Sequence, residues 1–178
     1  MGRNAGRDVI GSDNIAMGFN AGGGISASNT VAIGANKKAA ANDTVAIGTG
    51  AKALGVSSIS IGTGNTVTGA RSGAIGDPSF ASGTGAFVGG ADNIANSDGP
   101  APATAAHQAN RAVAIGNANT AIGQGSVAIG NQSSALLAGN VALGDNANAS
   151  VANSVALGSN TTTTAAVPTA SGTINGTT

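Results

Sequence analysis

Apolar and polar positions alternate along this chain in a short phrase that returns at a nearly fixed interval. In Thr44-Val45-Ala46-Ile47-Gly48, two large apolar residues flank an alanine, and a glycine closes the phrase. Apolar residues at i and i+2 have the period of a β-strand, and β-branched residues favour that conformation. The closing glycine fits a tight turn, because glycine adopts positive φ angles without a steric cost. The phrase therefore predicts a short strand followed by a turn.

The phrase occurs in nine clear copies, and most of their closing glycines follow a 14-residue period, from Gly34 to Gly76 and again from Gly116 to Gly158. The residues between two copies predict a second, weaker strand. Each unit thus contains a strand, a turn, a strand and a turn, with no hairpin partner inside it. Stacked units predict an all-β fold, a solenoid of 14-residue coils with two parallel sheets, in which each coil contacts mainly its neighbours.

The two faces of the first strand carry different residues. We expect the large apolar residues to form a thin core inside each coil; these coil-core candidates are Val31, Ile33, Val45, Ile47, Ile59, Ile61, Val113, Ile115, Val127, Ile129, Val141, Leu143, Val155 and Leu157. The residue between them is always small, which predicts an opposite face packed closely against other copies of the chain. These interface candidates are Ala16, Ala32, Ala46, Ser60, Ala74, Ala114, Ala128, Ala142 and Ala156. A smooth, solvated face is the alternative.

The regular spacing is interrupted after Gly76. The next phrase ends at Gly89, one position short of the usual period, which places Phe87 at an alanine position unless the register slips by one. The step from Gly89 to Gly116 is nearly twice the period, and the excess includes two prolines, so we predict a surface insertion at about 90–110. Insertions in solenoids project from one face and carry partner-specific contacts. Candidate ligand-contact residues in the insertion are Asn96, Asp98, Pro100, Pro102 and His107.

The composition limits the possible functions of these 178 residues. The formal net charge is zero, which argues against a nucleic-acid partner, and no apolar stretch is long enough for a transmembrane helix. Aromatic residues make up 2% of the chain, so valine, isoleucine, leucine and alanine must supply the buried area. Such a chain depends on many identical contacts or on partner chains.

Residues suited to catalysis are sparse. The chain has no cysteine and a single histidine, so no nucleophile with a general base can be identified. Asp13, Asp43, Arg71 and Arg111 share one position, five residues before the closing glycine, which is typical of a turn leading into a strand. We therefore predict no enzymatic activity, no cofactor and no metal site.

The repeated phrase on its 14-residue period closely resembles the head repeats of trimeric autotransporter adhesins, the YadA-like family. The resemblance covers roughly residues 5–160 and implies a left-handed parallel β-roll that assembles side by side as a homotrimer. It also implies adhesion to host cells, extracellular-matrix proteins or other bacteria at the bacterial surface. We expect a head at 1–160 and a Thr-rich linker, or the start of a following module, at 161–178. Outer-membrane anchoring would come only from C-terminal regions absent here, and this part would be soluble.

Three other interpretations are open at this stage. An ice-binding solenoid needs a rank of threonines, but Thr30, Thr44 and Thr120 share their position with serines and an asparagine. A β-helix acyltransferase needs a catalytic histidine and has a hexapeptide period rather than a 14-residue one. A purely structural spacer of a surface fibre needs nothing beyond the repeat itself.

Overall fold

The computed structural model describes residues 2–96 and 109–165, and within these ranges the chain forms strands and turns without a helix. In chain order the strands are β1 (Ile15–Met17), β2 (Val31–Ile33), β3 (Lys38–Ala39), β4 (Val45–Ile47), β5 (Lys52–Ala53), β6 (Ile59–Gly62), β7 (Thr66–Val67), β8 (Gly73–Asp77), β9 (Phe80–Ala81), β10 (Phe87–Ala91), β11 (Ile94–Ala95), β12 (Val113–Asn117), β13 (Thr120–Ala121), β14 (Val127–Asn131), β15 (Ser134–Ala135), β16 (Val141–Asp145), β17 (Asn148–Ala149) and β18 (Val155–Leu157).

The described strands form two sheets. The larger sheet has ten strands in the order β1-β2-β4-β6-β8-β10-β12-β14-β16-β18, and the smaller has eight, from β3 through the intervening odd-numbered strands to β17. All paired strands are parallel, and each coil adds one strand to the larger sheet and, from β3 to β17, one to the smaller. The predicted parallel β-solenoid of 14-residue coils is confirmed. The predicted boundary between residues 160 and 161 stays a prediction.

The coil around Phe87 keeps the register of its neighbours. Phe87 pairs with Gly73 and Val113, at the first large apolar position of the phrase, and Val88 takes the alanine position. The coil closes at Gly90, which pairs with the preceding closing glycine, Gly76, and so restores the 14-residue period. The register slip considered above is therefore present, because closure at Gly90 preserves hydrogen bonding on both sides.

The insertion does not interrupt either sheet. In the larger sheet Phe87 pairs with Val113, and in the smaller sheet Ile94 pairs with Thr120. The residues of each pair are 26 apart in the sequence. The same separation holds for the hydrogen bond from Asn119 Nδ2 to Asn93 Oδ1. The regular coils have a 14-residue period, so a spacing of 26 residues contains an insertion of about twelve residues. Its position agrees with residues 97–108, which lie outside the described residues.

Small side chains line the interior of the coils. The buried residues from the ten-stranded sheet are Ala32, Ala46, Ser60, Ala74, Val88, Ala114, Ala128, Ala142 and Ala156. Facing them from the eight-stranded sheet are Ala39, Ala53, Val67, Ala81, Ala95, Ala121, Ala135 and Ala149. A 14-residue coil is narrow, and close-packed interiors tolerate little excess volume, so alanine-sized residues fill the space that two isoleucines would overfill.

The assignment of the two strand faces from the sequence was therefore wrong. The interface candidates Ala32, Ala46, Ser60, Ala74, Ala114, Ala128, Ala142 and Ala156 are buried within one chain, and Ala16 packs against the same interior. Being enclosed by their own chain, they are unavailable to a second copy. The coil-core candidates lie on the outside: Val31, Ile33, Val45, Ile47, Ile61, Val113, Val127, Val141 and Leu143 are partly exposed, and Ile59, Ile115, Ile129, Val155 and Leu157 are exposed.

The turn before each larger-sheet strand has a left-handed residue. Asp13, Asp43, Arg71 and Arg111 have φ angles between 54° and 59°. The interpretation of this shared position as a turn leading into a strand is confirmed.

Several coils have a buried polar side chain at the position three residues after the closing glycine. Asn119 Nδ2 donates to the carbonyl oxygens of Ile115 at 2.9 Å and of Gly130 in the next coil at 2.8 Å. Its Oδ1 accepts from the backbone N–H of Ser133 at 2.8 Å. One amide therefore satisfies groups in two successive coils, which a buried polar group requires to be tolerated.

Lys37 occupies the equivalent position and is 3% exposed. Its Nζ finds no hydrogen-bond partner among the described residues. Burial lowers the pKa of this ammonium group, because a charge is poorly stabilised away from water.

Replacing Lys37 with asparagine should stabilise the fold, since an amide can serve the coil as Asn119 does and no unpaired ammonium is then buried. We expect the free energy of unfolding at neutral pH to rise by about 1–3 kcal/mol, measured by urea denaturation. The control is Lys52→Thr, which removes an exposed lysine and copies the aligned Thr66. It should change the same quantity by less than about 0.5 kcal/mol.

The gain from Lys37→Asn should depend on pH. Because burial lowers the folded-state pKa of Lys37 below its usual 10.5, the unfolded chain binds more protons between these two values. Wild-type stability therefore rises with pH in that window. The advantage of the variant should be largest below the folded-state pKa and should shrink towards pH 10.5. A constant advantage would contradict a role for the buried charge.

Gly130→Ala should destabilise the protein more than Gly125→Ala, with both compared by their urea midpoints. The two glycines have φ angles of 141° and 67°, so alanine strains the backbone at either site. At Gly130 an added Cβ would also collide with the carbonyl of Gly144 in the next coil, whereas at Gly125 nothing lies within 4 Å. We expect a loss of about 1–2 kcal/mol at Gly125 and a larger loss at Gly130. Equal losses would contradict the close stacking of coils.

Candidate functional site on the outer face of the ten-stranded sheet

Two columns of apolar side chains run along the outside of the larger sheet, which we call the apolar face. The first column contains Ile15, Val31, Val45, Ile59, Gly73, Phe87, Val113, Val127, Val141 and Val155. The second contains Met17, Ile33, Ile47, Ile61, Ile75, Gly89, Ile115, Ile129, Leu143 and Leu157. Neither column contains a charged or polar side chain.

The apolar face is large for a single soluble chain. Of the thirteen large hydrophobic side chains that are exposed in the described residues, nine lie on this face, with exposures from 37% to 69%. Strands of one sheet are about 4.8 Å apart, so ten of them extend the columns over ~43 Å. A continuous apolar strip of this extent marks an interaction surface in most soluble proteins.

Phe87 is the one aromatic residue in the columns, and two glycines make room for it. An added Cβ on Gly73 would lie 3.2 Å from the Phe87 Cδ2 atom, and one on Gly89 would lie 3.4 Å from Cε1. Beside the ring is a cavity of about 220 Å³, bordered by Ile59, Arg71 and Ile75. The apolar face therefore carries one aromatic ring packed over two glycines, with a recess next to it.

Polar residues border the apolar face on both sides. The upstream edge, formed by the turns that precede the strands, carries Asp43, Arg71 and Arg111. The downstream edge, where the strands end, carries Asp77 and Asp145. Within the part of the chain that the structure describes, none of these five residues forms an ion pair.

Amide ladders stabilise part of the downstream edge. Asn117 Nδ2 donates to Asn131 Oδ1 at 2.8 Å, and Asn131 Nδ2 donates to Asp145 Oδ1 at 2.7 Å. These bonds join three successive coils on an exposed surface. They link the coils where the strands end.

Only one of the candidate ligand-contact residues from the sequence lies in the described part of the chain. Asn96 is 1% exposed and accepts a hydrogen bond from Ser82 Oγ at 2.8 Å, so it belongs to the coil interior rather than to a contact surface. Asp98, Pro100, Pro102 and His107 lie outside the described residues.

Other features offer little chemistry. The described residues contain no group of three or more histidine, cysteine, aspartate or glutamate side chains placed to hold a metal ion. Nor do they include a helix long and apolar enough to cross a membrane. A polar groove of about 280 Å³ lies among the first coils, between Asn4, Arg7, Asp8 and Asn20, and an exposed Arg7–Asp8 ion pair at 3.2 Å borders it.

The apolar face was missed in the sequence because large residues were assumed to point inward. The coil length was the available signal, since a 14-residue unit that forms two strands and two turns encloses little volume. Each half of a coil has an alanine at the equivalent position, seven residues from the alanine of the other half. Examples are Ala114 with Ala121 and Ala128 with Ala135, and this spacing is the pattern of two small residues that face each other.

The comparison with known families agrees with this architecture. The model of the YadA head domain repeat (2 copies) matches residues 26–51, 39–65, 53–77, 108–135 and 141–161, which together make up more than half of the chain. No curated protein gives a significant match. YadA heads are structural adhesin domains, and YadA-family proteins form trimers and bind host surfaces. The repeats, the parallel solenoid and this match together show that the chain belongs to the YadA head domain family.

Proposed function

We propose that this chain is the head of a homotrimeric bacterial surface adhesin that attaches cells to host cells, extracellular-matrix proteins or other bacteria, without catalysis. The apolar face carries the proposal. It supplies the contact surface that a family of trimers requires, on the side of the solenoid that a single chain leaves uncovered.

Assembly also accounts for the composition of the interior. An alanine buries far less apolar area than a valine or isoleucine, so the inside of the solenoid contributes little stabilisation per residue. The larger residues stand outside, where only a partner can cover them. We infer that three copies pack their apolar faces around an axis parallel to the rod, and that a large share of the stability comes from this contact.

Such an assembly is best suited to presenting binding surfaces to other cells or to matrix proteins. A stack of identical coils gives a rigid rod, and the eight-stranded sheets face outward when the ten-stranded sheets face the axis. In the full-length protein, we propose, the trimer stands at the outer membrane on C-terminal regions beyond this chain.

Burial weighs against the ice-binding alternative. Thr30 and Thr44 are 1% and 0% exposed, so their column faces the coil interior and offers no surface for ice. Thr120 belongs to β13 in the other sheet and does not share their position.

Residues 97–108 are the segment we propose for ligand contact. The support is the pairing on both sides of them: the sheets continue in register across a 26-residue spacing, so the repeat itself has no structural need for the extra twelve. A segment that the scaffold does not need is free to serve a partner.

Sedimentation equilibrium tests the assembly. We expect the wild-type chain to have about three times the 16.5 kDa mass of one chain at micromolar concentration. Ile115→Glu should dissociate it, because a carboxylate in a buried apolar contact costs several kcal/mol. Thr120→Glu, in the same coil but on the eight-stranded sheet, should remain trimeric. A wild-type monomer would contradict the proposed assembly.

Deletion of residues 97–108 tests the ligand-contact segment. The deletion restores a 14-residue spacing between the coils of Gly90 and Gly116, so the trimer mass and the midpoint of thermal unfolding should be retained. Binding to a panel of immobilised extracellular-matrix proteins and cultured host cells should fall at least tenfold. Undiminished binding would show that the ligand contact lies on another surface. Absence of binding by the wild type would favour a structural spacer.

A further inference from the structure

We propose that Arg71 of one copy pairs with Asp77 of the next copy around the axis, and that this ion pair fixes the axial register of the trimer. The inference rests on the proposed homotrimer and adds the contact that aligns its three chains. The partner in this contact is a second copy of this chain.

The symmetry of a closed trimer decides which edges meet. In a cyclic trimer the contact is head to tail, so each chain uses two different surface patches. The strands of the larger sheet run across the rod, with their first residues at the upstream edge and their last at the downstream edge. When three such sheets surround one axis, the downstream edge of each chain therefore lies beside the upstream edge of its neighbour.

Arg71 and Asp77 stand at opposite ends of one strand. Arg71 precedes β8, Asp77 is its last residue, and both are exposed. Neither has an ionic partner among the described residues of its own chain. Rotation about the axis involves no axial shift, so Arg71 of one copy and Asp77 of the next lie at the same height, and the trimer contains three such pairs.

This coil is distinctive among the ten described coils of the larger sheet. It is the one coil among them in which the turn residue at the upstream edge, Arg71, and the residue at the downstream edge, Asp77, carry opposite charges. Arg111 lies at the level of Asn117, and Asp145 lies at the level of Gly139. A shift by one coil would place Asp77 beside Ser57 or Gly85 of the neighbour and leave both charges unpaired.

A contact that favours the closed trimer over staggered arrangements of the three chains is needed, because the apolar columns are nearly uniform. Valine and isoleucine recur about every 4.8 Å along the rod, so sliding one chain by a coil exchanges one set of aliphatic contacts for a similar set. The β8 level breaks that uniformity. The cavity of about 220 Å³ beside Phe87 is bordered by Arg71, so it opens at the upstream edge where the neighbour's β8 end arrives.

Paired cysteines test this geometry, because the chain has no cysteine of its own. We expect Arg71→Cys combined with Asp77→Cys to give a covalent trimer on non-reducing gels after mild oxidation. The two positions are six residues apart along one strand, or ~20 Å, which is too far for a disulfide within one chain. The matched control, Arg71→Cys with Asp145→Cys, places the downstream cysteine four strands further along, or ~19 Å. It should give at least tenfold less covalent trimer.

Charge reversal gives a second readout. Arg71→Glu and Asp77→Arg should each lower the midpoint of thermal unfolding of the trimer, and the double variant should recover most of the loss. If the wild type is a trimer, but the paired-cysteine variant gives no specific cross-link and the double charge-reversal variant shows no recovery, the register contact is overturned while the proposed function stands. A wild-type monomer by sedimentation would overturn both.

Discussion

The narrowness of a 14-residue coil is the constraint on which the rest of this structure depends. Two short strands and two turns enclose so little space that the facing positions, such as Ala114 and Ala121, hold alanine in most coils. Alanine buries little surface, so the interior cannot supply the stabilisation that a globular core draws from leucine, isoleucine and phenylalanine. The chain compensates with continuous parallel hydrogen bonding along two sheets and with interior polar groups that are themselves bonded, as Asn119 is.

The same constraint moves the large residues to the outside. Most valine and isoleucine side chains are too large for the coil interior, with Ile25, Val67 and Val88 as exceptions. They therefore collect on one face of the ten-stranded sheet as two columns, broken only by Gly73 and Gly89. A single solenoid therefore presents an uncovered surface, which the proposed trimer buries. In this arrangement, folding and assembly depend on each other, and the remaining faces of the rod are free for display. Adhesion fits a molecule of this kind, because it needs a stiff, extended and chemically simple scaffold.

Departures from the repeat fall where the architecture can accept them. Phe87 occupies a column position between Gly73 and Gly89, whose missing side chains leave space for its ring. The insertion follows β11 and leaves both sheets in register. Lys37 is the exception, because it places an ammonium group where other coils have alanine, serine, threonine or a bonded amide. Its presence shows that one unfavourable position is tolerated when many equivalent hydrogen bonds hold the neighbouring coils.

The sequence by itself determined the period, the strands, the turns, the parallel stacking and the family. Each of these follows from local features: β-branched residues two apart, a closing glycine on a 14-residue period, and turn residues such as Asp43 and Arg71 before each strand. Only the tertiary structure decided which face of the strand is inside. Alternation with a period of two is the same for either choice, and the preference for burying large residues pointed the wrong way. The volume enclosed by the coil settled the matter, and that volume exists only once the two sheets face each other.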